Sequence, residues 1–352
     1  MSMYRKLVWA SALLTLVVVV VGAYVRLSDA GLGCPDWPGC YGKLTPAHAR
    51  EHIEQAVEAQ GGGHGPVSLP KAWKEMGHRY LAGVLGLMIL AIAVLAWVRR
   101  GAAGSPWLPS AIVLVVLVQA TLGKWTVTML LKPAIVTAHL IGGMTTLALL
   151  VWLSMRQLRL QPAAAGALPA LRKPAALGLV VLCAQIVLGG WVSTNYAALA
   201  CPDLPLCRGA ALPPMDFANA FHVLRELGQT PEGALLSNEA LTAIHWTHRM
   251  FALLVVAVLG HLGGRLMRSG VLRGAGGLLL GLLAAQFCIG LANVAFSLPL
   301  WLAALHNAGA ALLLSLMVVI NYVVFRGLTL SSSSSISSTG PANSAVADHI
   351  SR

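Results

Sequence analysis

Charge is scarce in this chain of 352 residues: Asp, Glu, Lys and Arg together make up only 10%, against 57% hydrophobic residues. So small a charged fraction excludes an ordinary soluble domain and fits a chain that crosses a membrane repeatedly. Acids are scarcer than bases, 12 against 24, and they are missing from one set of segments altogether. Those segments hold Arg5 and Lys6, Arg99 and Arg100, then Arg156, Arg159, Arg172 and Lys173, then Arg265, Arg268 and Arg273, and finally Arg326. Eleven of the twelve acids, all but Asp348, fall in 29–75 or 203–239. A small-residue cleavage site is also lacking after the first apolar run, which argues for a retained helix over a removable signal peptide. No soluble basic domain accompanies the net charge of +12, so nucleic acid is not a partner.

What the chain does contain is eight apolar stretches near or above the length needed to span a bilayer. They run at about 7–27, 77–98, 107–129, 133–155, 174–196, 243–264, 271–294 and 299–325. The short basic segments between them place both termini in the cytoplasm. The two long acidic loops then lie outside, which in a Gram-negative cell makes this a multi-pass inner-membrane protein with periplasmic loops. Residues 46–60 read as a short amphipathic helix with Ile53 and Val57 on one side. The 214–240 stretch reads as holding another. From Ser331 the chain is Ser-rich and poor in apolar residues, which predicts disorder.

One stretch, Lys74-Glu75-Met76-Gly77-His78-Arg79, brings an acid, an imidazole and a guanidinium into the start of a single apolar run. Such groups in hydrocarbon face a protein interior and have a partner. The pattern returns as His245-Trp246-Thr247-His248-Arg249. The two halves repeat throughout. CPDWPGC at 34–40 matches CPDLPLC at 201–207, Gln119-x-x-x-Gly123 matches Gln286-x-x-x-Gly290, and His139 matches His306, all at an offset of 167; His78-Arg79 matches His248-Arg249 at 170. An even number of helices per half makes the repeat parallel. The predicted fold is an all-α membrane protein whose eight transmembrane helices form two pseudo-twofold-related four-helix bundles. Residues 1–156 make the first, 157–173 a cytoplasmic linker, 174–326 the second, and 327–352 the tail.

Of eleven histidines, His48, His52, His64 and His222 fall in loops, His349 falls in the tail, and His261 lies near the cytoplasmic end of its run. His78, His139, His248 and His306 differ: each lies a few residues inside the external end of an apolar run. His78 and His139 thus share a depth on two helices of one bundle, and His248 and His306 do so in the other. Two imidazoles facing each other across a bundle core suit axial ligation of a haem iron. A bare catalytic zinc wants a third His or a carboxylate close by. Here the neighbours are cations instead: Arg79 and Arg249 beside the histidines, and Arg26 and Lys124 at external helix ends. Cations there suit haem propionates, although snorkelling to the interface is the simpler reading of an Arg. The halves differ at one place. Glu75, one turn before His78, has His245 as its counterpart. A carboxylate on that face could act as a general base or stabilise positive charge, or it could merely pair with Arg79 or Lys74.

Cys34/Cys40 and Cys201/Cys207 each flank a proline-constrained external turn. A structural disulfide in each loop is expected outside the cytoplasm, with redox cycling of Cys34/Cys40 as the alternative. Cys183 and Cys288, within apolar runs, read as inert core residues.

Taken together, GAYVRLSDAGLGCPDWPGCYG, EMGHRYLAG, GKWTVTMLLKPAIVTAHLIGG, IHWTHR and LHNAGA resemble the haem A synthase family over about residues 5–326. The resemblance implies oxidation of the C8 methyl of haem O to a formyl group, giving haem A for terminal oxidases. It implies His78 and His139 as ligands of the substrate haem, with Glu75 catalytic. It also implies His248 and His306 as ligands of a haem b cofactor. Cys34 and Cys40 match a loop pair that forms a disulfide in the family; Cys201 and Cys207 match a second pair that only some members carry. Implied partners are haem O synthase, oxidase assembly factors, membrane lipid and further copies of the chain. The alternative is a di-haem b electron-transfer protein acting on quinol, which four bundle histidines fit equally. A haem or anion transporter is a third reading, but no Gly/Pro-broken helix recurs at matching positions.

Overall fold

The computed structural model describes residues 2–62, 65–100, 105–158, 160–162 and 168–329. The serine-rich tail expected to be disordered lies, from residue 330 on, outside the described residues, as do His64 and Arg159. In chain order the helices are α1 (Met3–Leu27), α2 (Arg50–Ala59), α3 (Leu69–Val98), α4 (Trp107–Thr128), α5 (Pro133–Arg156), α6 (Arg172–Thr194), α7 (Phe217–Ala220), α8 (Asn238–Arg268), α9 (Arg273–Ala295) and α10 (Leu300–Arg326). All but α2 and α7 are long and apolar enough to cross a membrane, which gives the expected eight spans. Helices are required there because hydrocarbon offers no partner for a backbone N–H or C=O. The protein is therefore a multi-pass, all-α membrane protein.

Two spans begin earlier than their apolar runs. Helix α3 starts at Leu69, because Ser68 accepts the Lys71 amide and Pro70 sits in the first turn. Helix α8 starts at Asn238, capped by Ser237 onto Ala240. These added turns carry Glu75 and His245 on regular helix, each fixed relative to the histidine one turn on. Helix α2 matches the expected amphipathic segment, with Ile53 buried. In the 214–240 region the expected short helix is the four-residue α7, and a Gln229–Leu235 bridge closes a turn before α8 begins at Asn238. Two strands of two residues were also not anticipated. Gln161–Pro162 pairs with Leu328–Thr329, tying the linker to the chain just after α10.

Helix α1 packs on α3 and α5, and α4 packs on the same two; α6 packs on α8 and α10, and so does α9. Across the seam α1 and α5 meet α10, and α5 meets α6. One apolar core joins Tyr4, Val8, Leu85, Ile89, Ile112 and Leu150. A larger one runs through Leu182, Leu259, Leu262, Leu279 and Met317 and takes in Met144 and Leu147 of α5. Large residues left exposed, such as Leu87, Leu114, Leu117 and Leu278, face outward as a lipid-contacting surface requires. Cys183 and Cys288 are on that outward surface, contrary to the core placement expected; an apolar run has no polar face to betray which side is buried.

Small residues set the closest approaches, as they do where helices associate without a hydrophobic drive. A Cβ at Gly276 would meet the backbone of Met267 at 2.8 Å and of Gly263 at 2.9 Å, whereas one at Gly277 would meet nothing within 4 Å. Gly276→Ala should therefore lower thermal stability in detergent by about 1–3 kcal/mol, while Gly277→Ala should be neutral or slightly stabilising through helix propensity.

Candidate functional site

The loop after α1 folds around its own acid. Asp36 accepts the Tyr41 amide at 2.6 Å and the Gly42 amide at 2.7 Å, while Cys40 and Lys43 exchange backbone hydrogen bonds. Cys34 and Cys40 are joined in a disulfide. The second long loop repeats the same bonds. Asp203 accepts from Arg208 at 2.5 Å and Gly209 at 2.8 Å, Cys207 pairs with Ala210, and Cys201 is bonded to Cys207. Tyr41-Gly42 and Arg208-Gly209 are both left-handed, so each turn closes through a glycine that adopts positive φ without strain. These two aspartates were visible in the repeat, but their work as turn clamps was not inferred.

Each loop is fastened to the helix that carries a histidine. Glu75, buried to 4% exposure, accepts the Cys34 amide at 3.0 Å through Oε2 and an Arg79 guanidinium N–H at 2.5 Å through Oε1. Arg79 also donates to the carbonyls of Asp36 at 2.8 Å and Gly39 at 2.5 Å. In the second half His245 stands in for the carboxylate: its Nδ1 accepts the Cys201 amide at 3.1 Å. Arg249 donates to the carbonyls of Asp203 at 3.1 Å and Pro205 at 3.2 Å. Glu75 and His245 thus do one structural task with two chemistries, a carboxyl group in the first half and an imidazole in the second. Outside the membrane, the Tyr41 hydroxyl is pushed above its ordinary pKa by burial and then by the charges of Asp36 and Glu75.

One turn deeper are the imidazoles. His78 lies on α3 and His139 on α5, and His248 lies on α8 and His306 on α10. Each ring packs against a glycine of an adjacent helix. A Cβ at Gly22 would come within 2.8 Å of His78, at Gly123 within 3.2 Å of His139, at Gly189 within 3.1 Å of His248, and at Gly290 within 3.1 Å of His306. Gly22 and Gly189 were missed from sequence, although they too are 167 apart. The Nδ1 atoms of His78, His139 and His306 are buried with no protein partner. Gln119 and Gln286 hold the main-chain carbonyls of His139 and His306, each at 2.9 Å, which gives the repeated glutamines a role. These four imidazoles are the groups that could hold an iron cofactor. No cluster of three or more His, Cys, Asp or Glu able to hold a bare metal ion occurs among the described residues.

The remaining expected cations divide. Arg26 reaches across the seam, donating to the carbonyls of Ser193 at 3.2 Å and Thr194 at 3.4 Å and lying 4.0 Å over the Tyr196 ring. Lys124 is exposed and forms no ion pair among the described residues. His48, His52 and His222 are exposed, away from these sites.

Fold and site together define a polytopic membrane protein with two like-built imidazole pairs. Residues 5–318 match the family model described as cytochrome oxidase assembly protein, and the chain belongs to that family. Among its curated relatives, a protein of Shewanella oneidensis named heme A synthase is 43% identical over 89% of this chain and 94% of its own. Proteins of the same name from Methylobacterium radiotolerans and Sphingopyxis alaskensis are 30% and 27% identical, over 90% and 87% of this chain and 88% of each relative.

The two loop fastenings predict unequal responses to losing their arginine. Arg79→Ala leaves Glu75 buried and unpaired, which should destabilise by roughly 3 kcal/mol. Arg249→Ala leaves only a neutral imidazole and should destabilise by far less. Melting curves of the two variants in detergent check this, and adding Glu75→Gln to Arg79→Ala should restore part of the loss.

Proposed function

We propose that this protein is a haem A synthase, oxidising the C8 methyl of haem O to a formyl group through a hydroxymethyl stage. The observation that carries the reading is the doubled imidazole pair cradled by glycines, in a chain of this family. The residues suit an iron porphyrin. The four glycines let each imidazole lie close against a neighbouring helix, which would hold it in place as a ligand. In this reading the helices form two four-helix halves, 1–156 and 174–326, joined by the 157–173 linker. The termini lie in the cytoplasm and the sites lie toward the periplasmic face.

The first half takes the substrate, with His78 and His139 on the iron of haem O. In the second half His248 and His306 would hold haem b, and that haem would supply a one-electron redox centre. Converting methyl to formyl with the oxygen of one water releases four protons and four electrons. Glu75 is the group of this chain best placed to assist. Both its oxygens are already engaged by the Cys34 amide and Arg79. A carboxylate so held can stabilise positive charge developing at the methyl carbon without moving. Each oxygen keeps a lone pair beyond these donors, so taking a proton from water stays open to it beside the electrostatic role. Lys124, unpaired and exposed, is the freest of the four cations to meet a propionate. The other three would do so only while keeping their loop or seam carbonyls. Haem O synthase, oxidase assembly factors and a homo-oligomer are the partners this reading implies.

The di-haem electron carrier remains the contrast. Because Glu75 and His245 share one structural task, their difference alone does not exclude it; the relatives weigh against it. Expression in a host that makes haem O but no haem A, followed by haem extraction and chromatography, separates the two. Haem A or its hydroxymethyl precursor is expected; haem b on the purified protein with no new haem would favour the carrier. Glu75→Gln should cut haem A output about 10²–10³-fold while haem binding persists. Undiminished output with intact haem binding would remove Glu75 from the mechanism.

A further inference from the structure

Three of the four histidines share a tether that the fourth lacks. Gln119 on α4 donates to the main-chain carbonyl of His139, Gln286 on α9 to that of His306, and Gln185 on α6 to that of His248 at 3.2 Å. A helical carbonyl bonded to the amide four residues on keeps a second lone pair, so each glutamine adds a bond between the ligand-bearing helix and its neighbour. The position equivalent to Gln185 in the first half is Val18, again 167 residues earlier. The geometry of the neighbours supports that match. Gln185 stands one turn before Gly189, which meets the His248 ring, and Val18 stands one turn before Gly22, which meets the His78 ring. Valine has no donor, and Val18 is buried in an apolar cluster with Leu85 and Ile89. The Gln185 amide nitrogen also lies against the His248 ring, 3.2 Å from Nδ1 and 3.4 Å from Nε2.

We propose that Val18 leaves His78 the loosely held member of its pair, while Gln185 positions His248 firmly, so that the first half exchanges its haem and the second retains it. This rests on the reading of the imidazole pairs as haem ligands given above. A substrate has to enter and its product has to leave, and a ligand tied on one side only suits that traffic. A resident cofactor is served by two tied ligands. Gln185 acts through His248 and is a positioning residue.

The test follows haem transfer from the purified, haem-loaded protein to excess apomyoglobin by Soret absorbance. Each half is read alone, the first in a His248→Ala/His306→Ala background and the second in a His78→Ala/His139→Ala background. Val18→Gln should slow loss from the first half about fivefold, and Gln185→Val should speed loss from the second by a like factor, the effect of one neutral hydrogen bond. The low-spin resonance of the second-half haem should shift with Gln185→Val. Slower loss in Val18→Gln is a gain that general destabilisation does not produce. Where Val18→Gln overpacks and fails to fold, Gln185→Val decides alone. Unchanged rates in halves that bind haem through their histidines would overturn this inference and leave the haem reading standing. Haem binding untouched by either double His→Ala background would overturn both.

Discussion

Hydrocarbon leaves no polar atom unattended without penalty, and the architecture depends on that constraint. The backbone meets it by forming helices. Most polar side chains within the spans meet it by bonding a nearby carbonyl, as Thr15, Thr145, Thr146, Ser315 and Asn321 do. Exceptions include Tyr4, Ser11, Ser154 and Thr242, and a group of atoms beside the imidazoles. Nδ1 of three histidines and Oε1 of Gln119, Gln185 and Gln286 are buried without partners. Beside them are the glycines whose missing Cβ atoms let the rings pack against a neighbouring helix. Unpartnered polar atoms and ring-to-glycine contacts occur together in both halves.

Duplication preserved the scaffold and relaxed the details near the rings. The disulfide, the aspartate clamp and the arginine fastening recur almost bond for bond in the two loops. So do the left-handed pairs Leu130-Leu131 and Ser297-Leu298 that turn α4 into α5 and α9 into α10. Divergence near the rings includes Glu75 against His245, Arg26 against Ser193, Val18 against Gln185 and Lys124 against Leu291. Arg26 and Ser193 are no longer equivalents so much as partners, the side chain of one bonded to the carbonyl of the other across the seam. The seam is also held by Tyr196 bonded to Asp29 at 2.8 Å and by Thr137 facing Thr194 at 3.1 Å. Two halves locked this way can specialise without separating.

Hydropathy alone disclosed the eight spans, because length and lack of charge are properties of a run and not of its surroundings. The constant offset disclosed the imidazole pairs for a similar reason: histidines in apolar runs are rare enough to stand out. Glycines are not, and among 36 of them Gly22 and Gly189 carried no signal until packing set them against a ring. Helix starts were misjudged where polar turns precede the apolar run, since Ser68 and Ser237 set those boundaries and hydropathy does not. Arg79 and Arg249 were legible as cations at helix ends. Their engagement with loop carbonyls was not, because it depends on where a distant turn folds back. The choice between core and lipid for Cys183 and Cys288 was likewise hidden, as both environments are apolar.

The division of labour between the halves is the centre of this account, and half-by-half haem content tests it most directly. Protein purified from cells making both haem b and haem O would be compared as His78→Ala/His139→Ala and His248→Ala/His306→Ala variants, with the bound haems extracted and separated. The account predicts haem b alone in the first variant, and in the second only haems bearing the isoprenoid side chain. The same mixture of haems in both variants, or haem b in the half that carries His78 and His139, would contradict it.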